Sequence, residues 1–414
     1  MRLSALWRGV LLSAAMAGLV SCGGGGPGLA GGGIGGTGVS QGSVTGFGSI
    51  FVNGLEIETT GAKIEVDDNP NASQGDLHVG MVVLVEWEKD ASGKYAAKRV
   101  KYAKDVQGPV ASIDTAGNTL VVVGQTVRVD GLTVFSGTSG IAGTNPLKPS
   151  DIVEVSGLRD TKGVIHATRV KVKTGSSEPS EIKGRVSAYT PGSGFFGIGA
   201  VRVNHGDVVL PQNLVVNSCV EVKGEFANGV ITATSIELDD SCGLGGSVAD
   251  GKEVEVEGFV SDLGVSGAGT FKVNGQPVRY DIATGYENGN VGTLQNDVRV
   301  EVEGTITGGM LVAKKISFKL GGDDSAGGGG GTGGSGGIVV AEAEGLVTAK
   351  TSDSVTVNDS VSPVVVFVNS STIFEDGIRP DLTNININVD VVKVRFYKNS
   401  NIALKIELKG AEED

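Results

Sequence analysis

The side chains most often used in catalysis are few in this sequence and do not recur together. The three histidines, His78, His166 and His205, fall in three different units of the repeated pattern described below, at different positions. A catalytic or metal site needs several such groups converging on one point. We therefore interpret the histidines as structural residues, with catalysis or metal binding as the less favoured alternative. The sequence predicts no catalytic residue, no metal ligand and no cofactor, and hence no enzyme.

One acidic stretch has the residue types of a calcium loop. Residues 67–71 read Asp-Asp-Asn-Pro-Asn and offer oxygen ligands at alternating spacing. They lack the central glycine and the terminal glutamate of such a loop, so an ordinary polar turn is favoured over a calcium site. The acidic pairs at 239–240 and 323–324 are interpreted as solvated charges of connecting segments.

The N-terminus has the pattern of a secretory signal peptide over residues 1–21, with Arg2 and Arg8 before an apolar stretch. That stretch is too short for an ordinary membrane-spanning helix. Residues 19–22, Leu-Val-Ser-Cys, resemble a bacterial lipobox, in which the cysteine is acylated and becomes the new N-terminus. Cys22 is thus the predicted lipidation site, and a plain signal peptide with a chance cysteine is the alternative. Similarity to Gram-negative lipoproteins implies outer-membrane sorting, because Gly23 rather than aspartate follows the cysteine.

The two remaining cysteines are candidates for a disulfide. Cys219 opens a predicted strand, and Cys242 lies just beyond the next strand of the same unit. In an oxidising compartment a bond between them would stabilise the fold by about 3 kcal/mol. Two separate thiols are the alternative, because strand geometry could carry the second cysteine past direct opposition.

Composition excludes several partner classes. The 414 residues include 34 basic and 47 acidic side chains, 68 glycines and 5% aromatic residues. Nucleic-acid binding needs clustered basic residues and stacking aromatics, so no nucleic-acid partner is expected. Anionic headgroups would repel the chain, and attachment to a membrane would rest on acyl chains. Glycine is concentrated in turns, in a predicted tether at 22–40 and in a predicted linker at 321–337.

Valine-rich segments repeat five times along the chain. Each repeat opens with a Gly-x-Val strand, at 42–44, 108–110, 184–186, 258–260 and 345–347. The Asn-Gly pairs at 53–54 and 274–275 favour tight hairpin turns after the second strand. A third strand, a longer connection and two alternating strands complete each repeat.

This pattern predicts an all-β fold of tandem small five-stranded antiparallel OB-like barrels with Gly-rich linkers. The predicted units 1 to 5 are 41–106, 107–176, 181–243, 253–320 and a divergent 338–410. Barrels of this size are marginally stable alone, so we expect units 1 to 4 to dock on one another.

The closing strands of three units carry alternating basic residues: Lys98, Arg99, Lys101, Arg169, Lys171, Lys173, Lys314, Lys315 and Lys319. They could bind acidic polymers. The favoured interpretation is that they protect strand edges and pair with acids on the preceding strand.

Two further stretches carry a family resemblance. Residues 32–38, Gly-Gly-Ile-Gly-Gly-Thr-Gly, and 44–54, Val-Thr-Gly-Phe-Gly-Ser-Ile-Phe-Val-Asn-Gly, resemble a family of bacterial lipoproteins built from repeats of domain of unknown function 5666. Units 2 to 4 share its Gly-x-Val and Val-Glu-Val-Glu-Gly marks more weakly, and unit 5 departs furthest. The resemblance implies a secreted, anchored protein of small barrels and provides no catalytic residue.

These inferences favour a non-enzymatic outer-membrane lipoprotein that serves as a structural or binding module of the cell envelope. Its expected partners are the membrane, through the lipid anchor, and an envelope glycan or protein. The alternative is an oligosaccharide-binding accessory protein of a secretion or polymer-export system, because OB barrels bind extended ligands on their second and third strands. The candidate contacts would be Phe51, Phe135, Phe195, Phe196 and Phe271, although their regular places in the pattern favour core positions.

Overall fold

The computed structural model describes residues 36–174, 178–244, 248–264, 269–319, 340–359, 362–369, 372–398 and 401–409. The predicted signal peptide, Cys22, the tether up to residue 35 and the linker at 321–337 lie outside these residues. The described part of the chain consists of β-strands, turns and two short 3₁₀ helices, Gln74–Asp76 and Val291–Thr293. Among these residues, no helix has the length and apolar character needed to cross a membrane.

The strands fall into the five predicted units, numbered here in chain order. Unit 1 contains β1 (Thr37–Phe47), β2 (Ile50–Val52), β3 (Leu55–Glu58), β4 (Lys63–Val66), β5 (Asn69–Ala72), β6 (Val82–Lys89) and β7 (Tyr95–Tyr102). Unit 2 contains β8 (Val106–Asp114), β9 (Thr119–Val122), β10 (Gln125–Arg128), β11 (Val134–Ser136), β12 (Ile152–Arg159) and β13 (Ile165–Val172). Unit 3 contains β14 (Ser180–Tyr189), β15 (Phe195–Ile198), β16 (Val201–Asn204), β17 (Cys219–Ala227) and β18 (Val230–Leu238).

Unit 4 contains β19 (Glu253–Ser261), β20 (Gly269–Val273), β21 (Gln276–Tyr280), β22 (Gly285–Glu287), β23 (Arg299–Thr307) and β24 (Met310–Phe318). Unit 5 contains β25 (Val340–Lys350), β26 (Ser354–Asp359), β27 (Pro363–Phe367), β28 (Ile373–Phe374), β29 (Val391–Tyr397) and β30 (Ala403–Lys409).

Each of units 1 to 4 closes into a five-stranded barrel, as the sequence predicts. In unit 1, β1 pairs with β2, β2 with β3, β3 with β7, β7 with β6, and β6 with β1 again. Four of these pairings are antiparallel, and the pairing of the third strand with the last is parallel. Units 2, 3 and 4 repeat the same ring, and unit 5 closes it through a single parallel bridge between Phe367 and Ile402. This strand order gives each unit an OB-like barrel.

Side-chain packing explains the Gly-x-Val pattern at the start of each repeat. Val44 is buried and pairs with Val52, and the corresponding valines of the other units pair in the same way. Two residues earlier, Gly42 lies under the hairpin turn, where a Cβ atom would collide with the side chain of Asn53. Asn53 has a φ of 51° and donates a hydrogen bond from its side-chain amide to the carbonyl of Gln41, at 2.9 Å. The glycine therefore lets the turn fold back onto the first strand, and the predicted Asn-Gly turn is confirmed.

Strand pairing between units joins barrels that are not all neighbours in sequence. β1 of unit 1 pairs in parallel with β19 of unit 4 over Gly38–Gln41, and β8 of unit 2 pairs antiparallel with β14 of unit 3. The cores of units 2 and 3 form one continuous cluster of buried side chains. β1 also begins at Thr37, inside the range predicted as tether, because the backbone of 37–43 pairs with β6 and part of it also with β19. The expected docking of units 1 to 4 is thus present, and it includes a long-range pairing.

Candidate functional site

A cavity of about 690 Å³ lies where units 1, 2, 3 and 4 meet. Each unit contributes part of its wall: Gln41 from unit 1, Arg159 from unit 2, Lys183 and Arg185 from unit 3, and Phe259 from unit 4. Such a volume is ordinary for a site that binds a small molecule. Gln41, Lys183, Arg185 and Phe259 lie on the first strands of their barrels, which form the sheet contacts between units. Arg159 lies at the end of β12, the fourth barrel strand of unit 2.

One side of the cavity is a buried charge cluster at the junction of units 2 and 3. Lys183 is only 5% exposed and donates from Nζ to the carbonyl of Ala103 and, at 3.2 Å, to Oγ of Ser241. Its Nζ lies 3.9 Å from Oδ1 of Asp105, and Nε of Arg159 lies 4.0 Å from the same oxygen. Burial lowers the pKa of Arg159, and Asp105 opposes that effect. Two cations thus share one carboxylate here.

Arg185 lies two residues after Lys183 on the same face of β14 and holds units 3 and 4 together. Its guanidinium donates to the carbonyls of Asn217, Cys242 and Asn274, at 3.0, 3.0 and 3.1 Å. No carboxylate among the described residues forms an ion pair with it. Burial lowers the pKa of Arg185, because the charged form is desolvated without a counterion. The side chain is nevertheless exposed to the cavity.

The predicted disulfide partners lie beside Arg185, Cys219 at the start of β17 and Cys242 in the turn after β18. Cys219 and Cys242 are bonded in the structure, with a Cα–Cα separation of 5.8 Å. The residue before Cys242, Ser241, accepts a hydrogen bond at its carbonyl from Nε2 of Gln41 in unit 1. The disulfide therefore lies next to the contacts by which the end of unit 3 reaches units 1 and 4.

The interpretation of Asp239 and Asp240 as solvated connector charges is wrong. Oδ2 of Asp239 lies 2.8 Å from Nζ of Lys101, and Oδ2 of Asp240 lies 2.8 Å from Nη1 of Arg99. The side chain of Asp239 is 6% exposed. Its burial raises the pKa, but Lys183, Lys101 and Ser241 outweigh burial and lower it. These acids are the partners of basic strand β7 across the boundary of units 1 and 3.

The basic closing strands mostly have acids on the preceding strand within reach. Lys98 pairs with Glu88 at 2.8 Å, Lys173 with Glu154 at 3.8 Å, and Lys314 with Glu303 at 2.9 Å. These contacts support the interpretation that the basic residues pair with acids on the preceding strand. They do not favour a row of unpaired cations that binds acidic polymers.

The other candidate residues do not converge. His166 lies on the boundary of units 2 and 4, where its ring packs 4.3 Å from that of Phe259 and its Nε2 is 3.2 Å from Asp160. Burial lowers the pKa of His166, and Asp160 opposes this. The 67–71 stretch spans the hairpin between β4 and β5, where Asp67 contacts Lys104 and Asp68 contacts Lys223. These carboxylates face lysines, which fits the polar-turn interpretation better than a calcium loop.

The five candidate aromatic residues do not share an exposed position. Phe196 and Phe271 are buried in barrel cores, and Phe135 packs against the core of units 2 and 3. Phe51 is half-buried, and so is Phe195, which lies under the guanidinium of Arg202 at 3.7 Å. The register places these outward-facing residues at the position of Phe51: Val121, Gly197, Lys272 and Thr356. Among the described residues, no aromatic side chain recurs at that position.

Sequence reasoning missed Arg185 and Lys183 altogether. Both lie on β14, whose alternation of Glu, Lys and Arg with apolar residues reads as an ordinary solvated face. The sequence contains one signal that could have indicated them. Lys183 and Arg185 flank Gly184, the glycine of the Gly-x-Val pattern, and Gly184 lies at the junction of the barrels.

Comparison with known proteins identifies the repeat. No curated protein matches the chain at a significant level. A solved structure titled "drosophila Unr CSD456" matches with 14% sequence identity over 57% of this chain and 99% of that chain. Its TM-score of 0.14 is too low to support any argument from that structure. The family described as Domain of unknown function (DUF5666) matches residues 39–101, 107–171, 201–237, 257–317 and 344–407, one segment in each unit. The chain therefore belongs to the DUF5666 family and contains five copies of its repeat.

Proposed function

We propose that the protein is a non-enzymatic bacterial lipoprotein of the outer membrane, acting as a structural or binding module of the cell envelope. The observation that carries this proposal is the way units 1 to 4 are joined. Main-chain pairing links β1 to β19 and β8 to β14, and the charge contacts of Asp239 and Asp240 link unit 3 to unit 1. Barrels joined in this manner keep fixed positions relative to one another, which suits a structural module outside a membrane.

The absence of a recurring aromatic among the equivalent outward positions supports the same proposal. A repeated sugar-binding face would place a stacking ring at the same position in several barrels. The described positions instead hold side chains of unrelated types. We infer that these faces do not repeat one binding site and that the barrels serve mainly as a scaffold.

The anchor is tested by producing the full chain in a Gram-negative bacterium with a radiolabelled fatty acid. We expect the label on the wild-type chain and its recovery in the outer-membrane fraction. Cys22→Ser should lose both the label and the membrane fraction, because its thiol is the proposed acylation site. Ser21→Gly, which keeps a small residue before the cysteine, is the matched control and should behave as wild type. Labelling of Cys22→Ser would contradict the proposal.

A second candidate function is binding of an oligosaccharide as an accessory of secretion or polymer export. The specific observation in its favour is the cavity between the four barrels. Most of its lining residues are polar or charged, although apolar atoms form the larger part of its surface. Calorimetric titration of the full chain with envelope oligosaccharides tests it, and no heat of binding with any of them would remove this candidate.

A further inference from the structure

We propose that the cavity where units 1 to 4 meet binds a small acidic saccharide and that Arg185 holds its acidic group. This inference deepens the second candidate function, oligosaccharide binding, and rests on it. It does not depend on the lipid anchor. The ligand class is a sugar that carries a carboxylate or a phosphate.

The charge of the cavity is the reverse of the charge of the chain. Over the whole sequence, 47 acidic residues outnumber 34 basic ones. The basic residues of the cavity wall are Arg159, Lys162, Lys183, Arg185 and Lys272, and its acidic residues are Asp105, Asp160 and Asp262. An excess of positive charge in a concave, partly desolvated site attracts an anion.

Arg185 differs from the other cations of the wall in lacking a carboxylate partner. Lys272 lies 2.9 Å from Asp262, and Lys162 lies 3.8 Å from Asp297. The three carbonyl contacts of Arg185 use three of its five N–H groups. Two N–H donors and a full positive charge are therefore left without partners in the described part of the chain. A planar guanidinium in this state is suited to an oxyanion.

Two glycines let neighbouring loops lie close to one end of the guanidinium. A Cβ atom on Gly275 would lie 3.0 Å from Nη2 of Arg185, and one on Gly243 would lie 3.2 Å from the same atom. Any larger side chain in these two loops would crowd the guanidinium. The two glycines thus let the carbonyls of Cys242 and Asn274 hold Nη2, while Nε and the second hydrogen of Nη1 remain for a ligand group.

The remaining wall suits a hydroxylated ligand. Its polar side chains include Gln41, Thr161, Ser187, Asn217, Ser241, Ser261 and Asn274. Phe259 is its only aromatic residue among those described, and it is 7% exposed and already packed against His166. A nucleobase would require open aromatic faces for stacking. Hydroxyl and amide groups instead offer the hydrogen bonds that a sugar needs.

The experiment is calorimetric titration of the full chain, solubilised in a non-ionic detergent at low salt. The probes are an oligogalacturonate for the carboxylate, a hexose phosphate for the phosphate, and a neutral glucose oligomer. Arg185→Gln should weaken binding of the acidic probe by about tenfold, since a charge-assisted hydrogen-bonded contact is lost. Arg202→Gln removes the same charge from the outer face of unit 3 and is the matched control. It should bind as wild type.

Several results would overturn the proposal. If neither acidic probe binds, or if both arginine variants weaken binding equally, Arg185 does not form the site. If the neutral oligomer binds as tightly as the acidic probes, the second candidate function stands while the acidic-group assignment fails. If Arg185→Gln does not fold, Arg185→Lys is the second variant, because it keeps the charge without the planar fork of the guanidinium. It should weaken binding of the acidic probe and leave the thermal midpoint of the protein near that of wild type. Unchanged affinity in that variant would contradict the guanidinium contact.

Discussion

The paired strands β14 and β17 of unit 3 and β19 and β23 of unit 4 use the same backbone frame with opposite charge arrangements. In unit 3, Glu181 faces Lys223 and Lys183 faces Glu221 across the strands. In unit 4, the equivalent positions place Glu255 opposite Glu303, and Glu257 opposite Glu301. Directly opposed like charges are destabilising in an antiparallel pair, whereas opposite charges stabilise it. The barrel fold therefore does not require one charge pattern on this face.

Unit 4 compensates with cations at the start of β23 and on or just after β24. Arg299 contacts Glu257 at 2.8 Å, Lys319 contacts Glu301 at 2.6 Å, and Lys314 contacts Glu303 at 2.9 Å. Glu255 has no ion pair among the described residues, and its Oε2 is buried without a hydrogen-bond partner. Burial, followed by Glu301 and Glu303, raises the pKa of Glu255 to about 9. At neutral pH the raised pKa favours the protonated form of Glu255, whereas the equivalent Glu181 of unit 3 has ion pairs with Lys104 and Lys223.

The comparison extends to the position at which the fourth strand begins. Cys219 faces Arg185 in unit 3, and Arg299 faces Phe259 in unit 4, so the two residues are equivalent. Unit 3 fixes this position with a disulfide, and unit 4 fixes it with an ion pair to a buried glutamate. The same structural requirement is met by covalent chemistry in one barrel and by electrostatics in the other.

The largest expected effect comes from the residues that are equivalent but opposite in charge, Lys183 and Glu257. Lys183→Met should lower the free energy of unfolding by about 4 kcal/mol, because it leaves Asp105 buried with a weaker partner. Glu257→Gln should cost a similar amount, because Arg299 loses its carboxylate. Chemical denaturation gives both values. A loss near zero for either variant would show that its charge is hydrated rather than buried.

The next effect comes from the disulfide. Replacing Cys219 and Cys242 together by alanine should cost about 3 kcal/mol, because the unfolded chain regains the freedom of the closed loop. Denaturant midpoints with and without a reductant measure this cost. The reductant should lower the wild-type midpoint and leave the double variant unchanged. Detection of two free thiols in the untreated mature protein would contradict the bond.

The barrel order is predictable from sequence because each of its determinants is local. Period-two alternation marks the strands, Asn53-Gly54 marks a hairpin, and a glycine two residues before a buried valine marks the first strand. These features depend on neighbours a few residues away. The same reasoning applies to all five units, which is why one pattern describes them.

The contacts between barrels are not predictable in this way. Alternation shows which face of β1 is buried, but not that its free edge pairs with β19, more than 200 residues later. The interpretation of Asp239 and Asp240 as solvated charges is wrong for the same reason, because their partners Lys101 and Arg99 lie in another unit. The cavity and Arg185 depend on these same long-range contacts, so the candidate site could not be found from the repeat pattern alone.

A smaller effect is expected from the unpaired carboxyl of unit 4. The folded pKa of Glu255 is about 9 and its ordinary value is 4.5, so folding takes up a proton between these values. Stability should therefore fall as pH rises through this window. Glu255→Gln removes the dependence and should gain about 2 kcal/mol near pH 6.

Thermal midpoints measured across that window test this prediction. Glu225→Gln changes an exposed carboxyl on β17 of unit 3 and should leave the slope as in wild type. Glu303→Lys gives unit 4 the charge order of unit 3 and should also reduce the slope, because it lowers the pKa of Glu255. An unchanged slope in Glu255→Gln would mean that the carboxyl is ionised in the folded protein.

The smallest effect concerns the charges that join unit 3 to unit 1. The folded pKa of Asp239 is below its ordinary value of 3.8, so its stabilisation is present above that value and is lost as pH falls through the folded pKa. Asp239→Asn should cost about 1 kcal/mol at neutral pH and nothing in strong acid, and the exposed Asp207→Asn should cost nothing at either pH. Denaturant midpoints at the two pH values check this. No loss at either pH would assign the contribution of Asp239 to its hydrogen bond with the backbone of Ser241, which an amide can also accept, rather than to Lys101. In that case the boundary between units 1 and 3 would depend on backbone geometry, and the contrast between paired charges in unit 3 and opposed charges in unit 4 would be confined to the strands themselves.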